Sequence, residues 1–301
     1  LKPGILQGDI LINLDSEAEG ELYVGCAGGL DASAHATYVP AEYDKDWLCY
    51  SMTVKGFKGG HSGMDIILYR GNANKVAARL LYTLMTEADV KLLDFEGGTL
   101  RNAIPREAFV TVYVSKDKEE AAVKAFERAA AEIKAEYAGT DPDAELTFKP
   151  YECAEGECCC GGEECRYVPE ADAMRFVRAV LACPDGVERM SSEMPGLVET
   201  SNNLAMVKIE GGEFSVKTLM RSSVDTAKDA LAQKNIELTA LGMEPCNFEE
   251  IYEQYLALGI LVLRHKADYR LSVTLLHYLG GVLLTHKIKA TGWVIQSVTT
   301  L

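Results

Sequence analysis

Between Asp46 and Lys149 the apolar residues switch between two periods, and the order of the switches restricts what this chain can fold into. Residues 46–54 alternate as a half-buried strand does. A glycine-rich turn then leads to 72–84, where Val76, Leu80 and Leu84 recur at helical spacing. One more strand is expected near 92–100. Ala108, Val110, Val112 and Val114 alternate again, Val123, Phe126, Ala130, Ile133 and Tyr137 line one helical stripe, and 145–149 closes as a short strand. The order is β-α-β-β-α-β.

Further along, 170–182 reads as a helix, 198–209 and 213–222 as a hairpin turning at Gly211-Gly212, and 226–241 as a second helix. The expected class is α+β. Two ferredoxin-like halves, about 46–150 and 167–245, would each cover one sheet face with two helices. Pairing the halves edge to edge would protect their exposed strands.

The linker between the halves crowds Cys153, Cys158, Cys159, Cys160 and Cys165 among acidic residues, while the other four cysteines are scattered. That is no secreted disulfide framework, and a reducing cytoplasm fits it better. Thiolate capture of a metal would want paired C-x-x-C knuckles, which the segment lacks, so a flexible acidic linker is expected. A formal charge of −15 argues against nucleic acid or an anionic membrane as partner, because affinity for polyanions comes from Lys and Arg. Charge is uneven, however: residues 254–301 hold five bases against one acid, Asp268, so the first 253 carry −19. The uncharged run 272–285 is shorter than a membrane span and is interrupted by Gly280-Gly281.

Two places suggest chemistry. Asp15 ends the apolar run 9–14 and opens the acidic turn 15–21, where a strand would deliver a carboxylate to a cation. His61 lies in Gly59-Gly-His-Ser-Gly63, whose glycines allow a tight turn that presents an imidazole outward. A solvated acidic turn and a loop-bonded histidine are the plainer readings of the same residues.

The stretch 8–29 resembles the bacterial aminoacyl-histidine (Xaa-His) dipeptidases, cytosolic two-zinc peptidases of the aminoacylase and carnosinase superfamily. Lys58-Gly-Gly-His-Ser-Gly63, Gly71-Asn-Ala-Asn74, the run 97–109 (Gly97 to Phe109), Leu197-Val-Glu-Thr-Ser201 and Arg221-Ser-Ser-Val-Asp225 match in order. The resemblance covers residues 1 to about 245. It implies that 1–27 end a catalytic α/β domain, that 28–245 form a lid inserted into it, and that 246–301 are a divergent tail.

It also implies roles: Asp15 as a zinc ligand, His61 as donor to the carbonyl oxygen of the transition state, and Asn102 and Arg221 as substrate contacts. Arg is suited to bidentate capture of a peptide's terminal carboxylate. The expected activity is metal-dependent hydrolysis of a dipeptide substrate in the cytoplasm, by a chain able to form a homodimer. The family also uses an upstream His-x-Asp pair and a Glu-Glu pair before the Asp15 strand, and no His precedes His35. A fragment with little or no turnover of its own is therefore expected, from a truncated or rearranged gene product. The alternative is a non-catalytic, lid-derived binding or dimerisation module.

Overall fold

The computed structural model describes residues 27–42, 47–151 and 166–243, together with 289–290 and 293–294. Asp15, the Cys153–Cys165 segment and almost all of the tail lie outside the described residues. The first half of the chain holds β1 (Gly28–Thr37), β2 (Ala41–Glu42), β3 (Trp47–Lys55), β4 (Gly60–His61), α1 (Ala73–Glu87) and β5 (Lys91–Gly97). There follow β6 (Ala103–Ile104), β7 (Ala108–Ser115), α2 (Glu119–Tyr137) and β8 (Glu145–Pro150). Beyond the linker come β9 (Arg166–Tyr167), α3 (Glu170–Ala182), β10 (Gly186–Met190), β11 (Val198–Glu210), β12 (Glu213–Ser222) and α4 (Asp225–Met243).

Eight of the strands make one antiparallel sheet, in the order β1-β12-β11-β5-β7-β3-β8, with β10 also on β11. The two halves meet where Val207 and Lys208 of β11 pair with Gly97 and Glu96 of β5. The helices pack as one layer across the sheet, in the order α2, α1, α3, α4. This is the mixed α/β architecture with a large antiparallel sheet expected of the α+β class. Gly98, at φ +73°, follows the junction, and a Cβ there would lie 1.8 Å from the Ala205 carbonyl oxygen. Only glycine lets the chain turn away from β11 at that point.

Alternation explains the first half. Tyr50, Met52 and Val54 of β3 and Val110, Val112 and Val114 of β7 are buried toward the helices, whereas Ser51 and Thr53 keep partial exposure on the other face. Leu80, Leu81 and Leu84 of α1 are fully buried against them, each worth about 1.5–3 kcal/mol relative to an exposed side chain. Helix α1 begins because Asn72 caps it, accepting from the Asn74 and Lys75 amides at 3.0 and 3.4 Å. It ends at Ala88, after which Asp89 turns left-handed at φ 54°.

The core continues across the junction as an aromatic ladder. Phe176 of α3 meets Phe95 of β5 edge-on at 5.6 Å and stacks on Phe214 of β12 at 4.9 Å. The β11–β12 hairpin turns at Gly211 and Gly212, both at positive φ, as a two-residue turn matching strand twist requires. Beyond the expected elements the structure adds β1, β10 and two short ribbons, β2 with β9 and β4 with β6. In particular β1 joins the second half of the sheet from before the first half in sequence. Among the described residues no helix is long and apolar enough to cross a membrane.

Candidate functional site

The ribbon of β4 and β6 sets His61 opposite Ala103, beside Asn102. The Ser62 amide donates to the Asn102 carbonyl at 2.9 Å, so the histidine turn and the asparagine turn are locked together by backbone. Gly60 makes this possible. It sits at φ +141°, and a Cβ there would fall 2.5 Å from Asp65 Oδ2. That same Asp65 oxygen accepts the His61 amide at 2.8 Å, while the Asp65 amide donates to the His61 carbonyl at 2.9 Å. Arg70 braces the turn by donating to the Gly59 carbonyl at 2.6 Å and standing 3.7 Å from Asp65.

The imidazole is oriented by its own loop. His61 Nδ1 lies 3.3 Å from the Gly63 amide and 3.2 Å from the Met64 amide, both of which donate to it. With Nδ1 turned to accept these N–H groups, Nε2 is the ring nitrogen left to act as an N–H donor. The half-buried side chain thus offers a single N–H donor directed away from the loop.

Arg221, at the end of β12, reaches the same place from the other half. Its Nε donates to the buried Ser62 hydroxyl at 3.4 Å. Gly63 separates the two side chains: a Cβ there would lie 3.2 Å from Arg221 Cδ and 3.3 Å from His61 Cε1. An imidazole N–H donor and a guanidinium side by side form a pair suited to a carbonyl oxygen that gains charge and to a carboxylate. Asn102 is exposed on its turn, and the turn is held from below by Asn203 of β11, whose amide donates to the Arg101 and Ala103 carbonyls at 3.1 and 2.9 Å.

Behind the histidine turn a cavity of about 350 Å³ opens between the halves, lined by Ile66, Arg70, Asn72, Lys75, Tyr137 and Asp185 among others. Lys75 donates to the Val180 and Leu181 carbonyls at 2.8 and 3.0 Å and also to that of Cys183, so its ammonium caps the end of α3. Burial lowers its pKa, against the opposing pull of Cys183 and Asp185. Asp185 accepts from the Asn72 side chain at 2.9 Å and the Leu204 amide at 2.8 Å. Crowding by protein raises its carboxyl pKa, although its outer edge meets solvent at the cavity mouth.

Three of the four candidate residues, His61, Asn102 and Arg221, are therefore gathered at one place, and Asp15 lies outside the described residues. Among the described residues no group of three or more His, Cys, Asp or Glu side chains could hold a metal ion. The described part thus contributes donors and a cation, and it does not assemble the zinc site implied by the resemblance. Residue type alone missed Ser62, Asp65 and Asn203. Asp65, four residues after the histidine, had the spacing to close that turn.

Residues 52–141 match the family model described as "Peptidase dimerisation domain", of the M20 peptidases. The chain is 39% identical, over 228 residues, to the cytosol non-specific dipeptidase of Escherichia coli, covering 74% of this chain and 44% of that one. A crystal structure of aminoacylhistidine dipeptidase from Vibrio alginolyticus superposes with a TM-score of 0.69 at 37% identity, over 80% of this chain and 47% of that one. The chain belongs to the M20 dipeptidase family. It spans about half the length of the two dipeptidases it matches. The family's dimerisation segment begins on β3 and ends just before β8, so it takes in the histidine turn and the asparagine turn but stops short of Arg221.

Proposed function

We propose that residues 28–245 are the lid of a metal-dependent dipeptidase acting on Xaa-His substrates, built from two ferredoxin-like halves. In this reading 1–27 end the catalytic α/β domain and 246–301 are a divergent tail. The observation that carries it is the paired presentation of the His61 Nε2–H and the Arg221 guanidinium. His61 would donate to the scissile carbonyl oxygen as it becomes an oxyanion, Arg221 would hold the substrate's terminal carboxylate, and Asn102 would contact the substrate from the adjoining turn. Zinc would be held with Asp15 and by residues beyond the described ones, in a cytoplasmic enzyme.

The test has two parts. The purified chain, supplied with zinc or cobalt, is expected to hydrolyse a Xaa-His dipeptide little or not at all; ready turnover would overturn the reading of this chain as incomplete. Residues 28–245 grafted in place of the corresponding segment of the E. coli relative should restore hydrolysis. His61→Ala should then lower kcat about 100-fold or more, the usual cost of one oxyanion donor. A folded graft indifferent to His61 would sink the assignment.

A second reading, a non-catalytic dimerisation module, draws support from the match of 52–141 to a dimerisation domain. Under it, sedimentation would report a defined homodimer while the graft stayed inactive.

A further inference from the structure

Strand β11 buries an unbroken polar run, Glu199-Thr-Ser-Asn-Asn203, in which Thr200 to Asn203 are all at most 2% exposed. Asparagine is poorly suited to a strand and costly in a core. Asn203 is fully buried, yet its Oδ1 has no hydrogen-bond partner. An apolar side chain there would avoid that penalty of about 1–3 kcal/mol. What the residue keeps instead is its NH2 group, and both hydrogens go to one short stretch of chain: the Arg101 carbonyl at 3.1 Å and the Ala103 carbonyl at 2.9 Å. The amide cannot be turned over, since Oδ1 would then face two carbonyl oxygens. The two acceptors bracket Asn102, whose own carbonyl receives the Ser62 amide next to His61.

We infer that Asn203 is a positioning residue that sets Asn102 against His61 by clamping the carbonyls on either side of it. The β11 strand of the second half thereby fixes a turn belonging to the first half. Its consequence for catalysis rests on the proposed lid function, but the clamp itself does not.

The experiment is hydrogen exchange by NMR on the full chain. In the wild type, both Asn203 side-chain protons should be resolved and slowly exchanging; a pair exchanging at the rate of a solvated amide overturns the clamp without any substitution. In Asn203→Leu, of similar size, the Ser62 amide should exchange at least tenfold faster while the Val112 amide in the core is unchanged. An unaltered Ser62 rate, or equal acceleration at both sites, overturns it. In the grafted enzyme, Asn203→Leu should lower kcat about tenfold with KM within twofold, and should cost nothing further once Asn102 is alanine. Equal losses in both backgrounds would overturn the positioning role, whereas a graft inactive even as wild type would sink the functional reading and leave the clamp to the exchange data.

Discussion

Strands β7 and β11 occupy similar central positions in one sheet, but they bury different chemistry. In β7 the inward positions Ala108, Val110, Val112 and Val114 are all apolar and almost inaccessible. In β11 five consecutive polar residues are buried, tied to β12, to the chain before β10 and to the asparagine turn by side-chain bonds such as Thr200 to Ser222 at 2.9 Å and Asn202 to the Pro184 carbonyl at 2.6 Å. The contrast separates two tasks. The β7 half pays for folding, and the β11 half gives up part of that stability to position turns around His61 and Arg221.

The aromatic ladder offers the hardest test of this division, because it joins both halves in one core. Phe176→Ala should remove about 3–5 kcal/mol and unfold the halves together in a single urea transition; two separated transitions would show that the halves are independent. Next in size, Asn72→Ala takes away both a helix cap and the bonds to Asp185 and the Leu204 carbonyl. A loss of about 2–3 kcal/mol is expected, combining a cap worth about 1 with buried hydrogen bonds worth about 1 each. Urea titration of the variant measures it, and a loss under 1 would mean that the cross-half bonds contribute little.

Tyr50 sharpens the comparison through pH. Its ring is 3% exposed, with the hydroxyl reaching the rim to donate to Glu119. Burial, and then the hydrogen bond and charge of Glu119, raise its pKa to about 12. The unfolded value is about 10, so the folded state holds the proton more tightly between those limits. Stability should be intact below pH 10 and fall as pH rises toward 12, and Tyr50→Phe should flatten that fall. A thermal melt series across this range that is identical for the two proteins would rule the linkage out. The smallest effect belongs to the surface: Arg79 makes a two-pronged pair with Glu136 at 2.9 and 2.7 Å, both side chains being partly exposed. Arg79→Ala should cost no more than about 1 kcal/mol, measured by urea titration in low salt.

Much of this fold was legible because burial follows period. The helices and the β3, β7, β11 and β12 strands lie within a few residues of where apolar spacing puts them. Strand β1 was not legible: Gly28 to Thr37 is rich in Gly, Ala, Ser and Asp, and it is a strand because β12 offers it an open edge along ten paired positions. At the site, the glycine-framed turn drew notice to His61, but the roles of His61 and Arg221 came from the family resemblance, since a loop histidine and a solvent-facing arginine are the plainer readings of those residues alone. Asn203 drew no notice, since a buried asparagine in a strand reads as an interruption of the pattern until its two acceptors are seen.

Lys75, in the lining of the cavity, ends in three carbonyl oxygens at the tip of α3. As an ammonium with its N–H bonds directed at three carbonyl oxygens, the group has no lone pair to offer an acylating reagent, while lysines on the solvent face are open to reagent. Pulse labelling followed by peptide mass spectrometry would therefore read Lys75 as a silent position that becomes modified only when α3 lifts from α1, giving the molecule an internal recorder of how often its two halves part.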